Sequence, residues 1–259
     1  MTNHESDDDG LSLPASTLDA LKEFYAERDA RADEFKKLKV QAEAIHAAID
    51  KVEVEVKPLS MAAFTEDWNE SQFWYADETA ELYAKLMLEG TTSDMTVAVV
   101  STPSVFMAVK NILNAAPEQP KPKVVLLEHD RRFNIFPEFV YYDFAEPLKL
   151  PDHLKGTCDR IICDPPFLSE DCQTKAALTV RWLARPLSPN TTDPQQQQQK
   201  QPRVIVCTGE RMEDVVTRVY RAFGLRTTDY EPVHARGLGN EFYCYANFEA
   251  SSWGWRKGA

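Results

Sequence analysis

The sequence predicts an α/β protein built on a doubly wound, mostly parallel sheet of seven strands. Three observations carry this. From Met95 onward, short and nearly all-apolar runs alternate with helical patterns, and strands apolar on both faces belong to parallel sheets covered by helices on each side. Acidic residues follow three successive runs, at the carboxyl edge where such sheets bind ligands. The last two runs are joined by too few residues for a crossover, so the terminal strand is antiparallel.

The elements follow in order. Residues 1–15 are acidic and polar, with Gly10 and Pro14 as punctuation, and read as a disordered tail. Residues 16–60 form a helical extension: Leu18, Leu21, Phe24, Tyr25, Phe35, Leu38 and Ile45 recur mostly at three and four, and Ser16 or Thr17 is placed to cap the first turn. That pattern suits a solvated helix packed on the main domain, or a short coiled coil. The main domain spans 61–259, and its first helix runs from Asp77 to Glu89, closed by Gly90.

Strand and helix then alternate. "MTVAVV" (95–100) leads into a helix with Pro103 in its first turn, where the missing N–H costs nothing. "KVVLLEHD" (123–130), "EFVYYDF" (138–144) and "CDRIICDPPF" (158–167) are the next strands, the last followed by a helix over 169–184. "PRVIVCTG" (202–209) is the fifth strand and precedes a helix over 210–223, which Gly224 ends. "LRTTDYEPV" and "EFYCYANFE" close the sheet through the short turn "HARGLGN". The polar, glutamine-rich stretch over 187–202 reads as a surface insertion without chemistry.

Composition narrows the function classes. No apolar run approaches the ~18 residues that span a bilayer, and the polar, acidic start is unlike a secretory or mitochondrial leader, so a cytoplasmic protein is expected. Five cysteines without a CxxC pair predict free thiols rather than a disulfide framework. The five histidines form no HExxH cluster, so no metal site is predicted. A net charge of -12 disfavours a broad nucleic-acid surface, while a basic protein partner is easily attracted.

The residues leaving the strands outline a nucleoside pocket. Ser101-Thr102-Pro103-Ser104 follows the first strand, where N–H groups at a helix start can hold an anion. No GxGxxG is present, so a carboxylate suits this turn better than a diphosphate. Glu128 and Asp130 end the second strand, where an acid accepts hydrogen bonds from ribose hydroxyls. Asp143, after the third, is placed for an exocyclic base amine.

Asp164-Pro165-Pro166-Phe167 follows the fourth strand. The prolines fix φ, exclude helix at the preceding residue and donate no hydrogen bond. What remains is a stiff corner of acceptors with an aromatic wall, which suits an amine being methylated. The Asp164 carboxylate and Pro165 carbonyl can accept two N–H groups, and Phe167 can face a cationic centre.

"QFWYADETA", "STPS", "LLEHDRRF", "YYDF", "CDPPFLSEDC", "VCTG" and "NEFYCYANF", in this order, resemble the translation elongation factor 1A lysine N-methyltransferase family over roughly residues 68–249. That family was once grouped with the adenine-N6 DNA methyltransferases because of the DPPF tetrapeptide. The resemblance implies a Rossmann-like class I methyltransferase domain with S-adenosylmethionine as cosubstrate and elongation factor 1A as protein substrate. By position it implies that Phe73, Trp74 and Tyr75 cover the methionine end and that Ser101 to Ser104 lie beneath it. It further implies Glu128 on the ribose, Asp143 on the adenine, and Asp164 to Phe167 around the lysine. Two rivals share these features: an adenine-N6 nucleic-acid methyltransferase, and a noncatalytic scaffold assembling through its N-terminal helix. The first calls for a basic face, which the acidic chain does not offer; the intact acids and DPPF corner oppose the second.

Overall fold

The strands form one seven-stranded sheet in the order β3-β2-β1-β4-β5-β7-β6, in a computed structural model that describes residues 15–48, 58–66, 72–186, 201–238 and 241–256. They are β1 (Thr96–Val100), β2 (Lys123–Glu128), β3 (Phe139–Tyr141), β4 (Arg160–Cys163), β5 (Arg203–Gly209), β6 (Arg226–Thr227) and β7 (Phe242–Ala246). β1 to β5 pair in parallel, and β7 pairs antiparallel with both β5 and β6. The closing pair occupies the end of the sheet as the short connection requires. β7 slots inside it, and β6 forms the edge.

The all-apolar runs are explained by burial on two faces. Val97, Val99, Ile162 and Ile205 point to a core shared with α2 (Asp77–Leu88) and α3 (Pro103–Ala115), through Tyr83, Met87, Phe106 and Val109. Ala98, Val100, Ile161, Val204 and Val206 point the other way, to α4 (Glu170–Leu183) and α5 (Glu213–Val219). Each large aliphatic side chain buried this way contributes about 1.5–3 kcal/mol. All five cysteines are buried and free. Among the described residues, no helix is long and apolar enough to cross a membrane.

Several elements differ from expectation. The expected helix over 210–223 begins as a 3-10 turn (Glu210–Met212) and ends at Val219, with Gly224 at φ 67°. The expected strand over 225–233 shrinks to two residues. Its continuation leaves the sheet, and Tyr75 and His234 form an isolated antiparallel bridge. Helix α1 (Ala15–Ala48) is continuous and already contains Ser16 and Thr17, so neither precedes its first turn. Among its described side chains, those that pack lie in its second half. Leu38 and Ala42 are each 5% exposed, and the Phe35 ring meets Phe64 edge-on at 5.8 Å, whereas Phe24 and Tyr25 are solvent-exposed. The side chains of Leu18, Leu21 and Ile45, the tail over 1–14 and the insertion over 187–200 lie outside the described residues.

Candidate active site

The carboxyl ends of β1 to β4 and the start of the reversed β7 meet at one edge of the sheet, around a cavity of about 290 Å³. On one side it is lined by Ser101, Glu128, His129, Tyr142, Asp143 and Phe144, which follow β1, β2 and β3. Asp164 to Leu168 follow β4 and form its middle. Gln72, Phe73 and Trp74 line it from the segment before α2, and His234, Leu238 and Phe242 from the β6–β7 side.

Each wall has a local cause. Ser101 follows β1; its N–H still bonds the Leu127 carbonyl at 2.9 Å while its φ reaches 53°. It is the only non-glycine with positive φ among the described residues. Such a conformation costs about 1–3 kcal/mol and gathers at ligand sites. Thr102 and Ser104 lie buried below, at the start of α3; the Thr102 hydroxyl has no partner among the described residues, and Ser104 Oγ accepts from Tyr75 N at 3.3 Å. Pro103 takes the first position of α3.

Glu128 is buried, and its Oε1 accepts from His129 N at 2.8 Å and Asp130 N at 3.0 Å. Oε2 has no hydrogen-bond partner among the described residues. Burial pushes this carboxyl up to about 7, against the pull of its backbone bonds and with a push from Asp130. Asp143 anchors its loop by accepting Ala145 N at 2.8 Å through Oδ1.

Asp130 does not line the cavity. Burial raises its pKa, but bonds from Arg132 outweigh this and hold it below the usual value. Arg132 also donates to the Thr65 carbonyl at 3.0 Å and to Gln72 Oε1 at 3.3 Å. Asp130 is thus a brace between the end of β2 and the segment carrying the aromatic cover. Two acids two residues apart in the sequence have separated into one facing the cavity and one behind it.

The DPPF corner is stiff beyond its prolines. Asp164 N makes a last ladder bond to the Val100 carbonyl at 3.1 Å. Ser169 caps α4 by accepting Cys172 N at 3.3 Å. Gln173, fully buried, donates to the Phe167 carbonyl at 3.3 Å and to Thr208 Oγ1 at 2.9 Å. Leu168 packs against Gly209 so closely that a Cβ there would lie 3.0 Å from both its Cδ atoms. The Phe167 ring meets Phe144 at 5.4 Å.

Asp164 Oδ2 accepts the Tyr75 hydroxyl at 2.6 Å. Burial pushes the Asp164 carboxyl up to about 7, with the Tyr75 bond pulling down and Glu128 pushing up. Tyr75 therefore stands behind the corner, while its neighbours Phe73 and Trp74 line the cavity. Trp74 is fixed by its N–H on Glu66 Oε1 at 2.9 Å and by its indole on the Phe64 carbonyl at 3.1 Å.

Of the residues singled out in the sequence, Phe73, Trp74, Ser101, Glu128, Asp143, Asp164, Pro165, Pro166 and Phe167 meet at the cavity. Tyr75, Thr102, Pro103, Ser104 and Asp130 support it from behind. His234, Leu238 and Phe242 were not foreseen; they fall on the stretch read as a plain turn and strand.

A sheet in the order 3-2-1-4-5-7-6 with its sixth position reversed, and acids at the ends of β2, β3 and β4, defines a Rossmann-like class I methyltransferase fold. The family described as Probable N6-adenine methyltransferase matches residues 66–250, and the chain belongs to it. Similar curated proteins include Protein-lysine N-methyltransferase EFM5 of Saccharomyces cerevisiae, 40% identical over 93% of this chain and 94% of that one. EEF1A lysine methyltransferase 1 of Gallus gallus is 32% identical over 94% and 97%. The Homo sapiens protein of that name is 30% identical over 94% and 95%. Among solved structures, a SAM dependent methyltransferase from Aquifex aeolicus is similar at 14% identity and a TM-score of 0.35, covering 66% of this chain and 98% of that one.

Proposed function

We propose that this chain is an S-adenosylmethionine-dependent protein-lysine N-methyltransferase that acts on translation elongation factor 1A in the cytoplasm. The observation that carries the reading is the DPPF corner in the cavity wall, its carboxylate held by Tyr75, opposite an acid with an open oxygen. The printed names of the relatives supply the substrate class.

The residues present fit the cosubstrate. Glu128 Oε2 is open to accept from a ribose diol, and Asp143 lies at the next strand end, where an adenine amine would sit. The strained turn at Ser101 suits the methionine end, with Phe73 and Trp74 as its cover. When bound, S-adenosylmethionine supplies a methyl group already activated by its positive sulfur, so no metal is required.

The chain's own residues then align and desolvate. Free lysine has a pKa near 10.4, and burial beside the positive sulfur of a bound cosubstrate would favour the uncharged amine. Asp164 and the Pro165 carbonyl accept its N–H groups and aim its lone pair. Phe167, at the cavity mouth and 36% exposed, packs on the incoming side chain. Holding the nitrogen on axis is where most of the acceleration arises.

The family description favours one rival, methylation of adenine N6. The net charge of -12 and the relatives' names both weigh toward protein. The test is calorimetric titration with S-adenosylmethionine, followed by intact-mass and peptide mapping of elongation factor 1A incubated with enzyme. Binding together with added methyl groups on one lysine is expected. No binding would return the chain to the scaffold reading.

A further inference from the structure

Helix α1 lies outside the sheet, yet its packed half backs onto the aromatic cover of the cavity. It rests on the turns Met61–Ala63 and Arg131–Ile135, with Leu38 and Ala42 buried and the Phe35 ring edge-on to Phe64. Phe64 is buried in turn, stacked face to face on Phe133 at 4.1 Å and 5°. Phe133 meets the Trp74 ring edge-on at 6.3 Å. The backbone at Phe64 closes the same chain of contacts. Its carbonyl accepts the Trp74 indole N–H at 3.1 Å, and Glu66 Oε1 accepts Trp74 N at 2.9 Å. Between them, the Thr65 carbonyl takes a bond from Arg132 at 3.0 Å. A path of packed rings therefore runs from Phe35 on α1 through Phe64 to the indole that lines the cavity.

An indole donates one hydrogen bond, and here its acceptor is a carbonyl on a short irregular segment rather than on a strand. Where that carbonyl lies follows the seat of the Phe64 ring, which Phe133 fixes on one face and Phe35 from the side of α1. We propose that α1 belongs to the cosubstrate site: Phe35 is a positioning residue that, through Phe64, holds the Trp74 indole over the methionine end of S-adenosylmethionine. The inference rests on the methyltransferase reading above and gives the N-terminal helix a part in it. The path ends at Trp74 and does not include Asp164 to Phe167. Loss of Phe35 should therefore loosen cofactor binding and spare the transfer step.

Phe35→Ala removes the ring, whereas Phe35→Tyr keeps it, and at this half-buried position the added hydroxyl can reach solvent. Phe24→Ala removes an equal ring from the exposed half of the same helix. By calorimetry, S-adenosylmethionine affinity should fall about fivefold or more in Phe35→Ala and stay within about twofold of wild type in Phe35→Tyr and Phe24→Ala. Single-turnover transfer to elongation factor 1A at saturating cofactor should match wild type in all three. Independently of activity, the Trp74 indole 1H–15N signal of the free protein, assigned by its absence in Trp74→Phe, should move and exchange its proton faster in Phe35→Ala. In the Trp74→Phe background, Phe35→Ala should weaken binding less than about twofold further, because both act through one contact path. Wild-type affinity in Phe35→Ala, a full further loss in the Trp74→Phe background, or an unmoved indole signal would overturn the inference. If Phe35→Ala does not fold, Phe35→Leu takes its place, and unaltered affinity and indole exchange in that variant overturn it likewise. A wild-type protein that binds no S-adenosylmethionine overturns the methyltransferase reading and this inference with it, whereas wild-type affinity in Phe35→Ala overturns only the inference.

Discussion

Tyr75→Phe is the sharpest perturbation of the corner, because it deletes one hydroxyl and leaves a ring of the same shape against Tyr83 and His234. The lost bond, 2.6 Å from phenol to carboxylate, is charge-assisted, and such bonds contribute about 1.5–3 kcal/mol. This bond favours the ionised form of Asp164, so its loss raises a carboxyl that already sits at about 7. The rise amounts to roughly one to two pH units. If the ionised carboxylate aligns the amine, the rate at pH 7.5 falls about three- to twenty-five-fold and returns toward wild type near pH 9.5. The assay is single-turnover methyl transfer from pH 6 to 10, with S-adenosylmethionine affinity measured at each end. Lysine's own deprotonation is common to both enzymes, so the displacement between the two profiles isolates Asp164. Superimposed profiles would refute the argument that this bond tunes an aligning carboxylate.

Glu128→Gln should weaken S-adenosylmethionine binding about tenfold, whereas Asp130→Ala should lower Tm with a smaller effect on affinity; calorimetry and thermal melts on both variants separate cavity acid from brace. Gly209→Ala places a Cβ 3.0 Å from Leu168 Cδ1 and Cδ2, so kcat should fall several-fold with cofactor affinity kept, and Leu168→Ala in the same chain should restore part of it. Asp164 and Glu128 both have pKa values raised to about 7 by burial, so the folded state binds more protons than the unfolded chain. Their contribution to stability is fully present below the unfolded values near 4 and is lost as pH rises through about 7. Denaturant melts of the free protein should therefore show stability falling across that window, and Asp164→Asn should flatten the fall.

Much of this architecture was legible because parallel strands buried on two faces need unbroken apolar runs. "MTVAVV" and "PRVIVCTG" announce β1 and β5 in that way. The cavity was legible where chemistry follows a strand directly, as with Ser101, Glu128, Asp143 and the DPPF corner. Periodicity overstated α1: the repeat that buries Leu38 and Ala42 also passes through Phe24 and Tyr25, which meet solvent. Spacing shows a face, not whether anything covers it. Long-range partners left no local trace. Tyr75 meets Asp164 across 89 residues of sequence, and His234 enters through a stretch whose glycines read as a simple turn. Position after the strand left Glu128 and Asp130 alike, and only the family resemblance singled out Glu128; Arg132 and Gln72 hold Asp130 behind the wall.

The most direct test of protein-lysine methylation is tritiated methyl transfer from labelled S-adenosylmethionine into a lysate lacking the enzyme, divided afterwards between protease and nuclease. The label expected is released by protease and left by nuclease, concentrated in a band at elongation factor 1A and absent with Asp164→Ala. Label released by nuclease as N6-methyladenine, with none in protein, would contradict protein-lysine methylation.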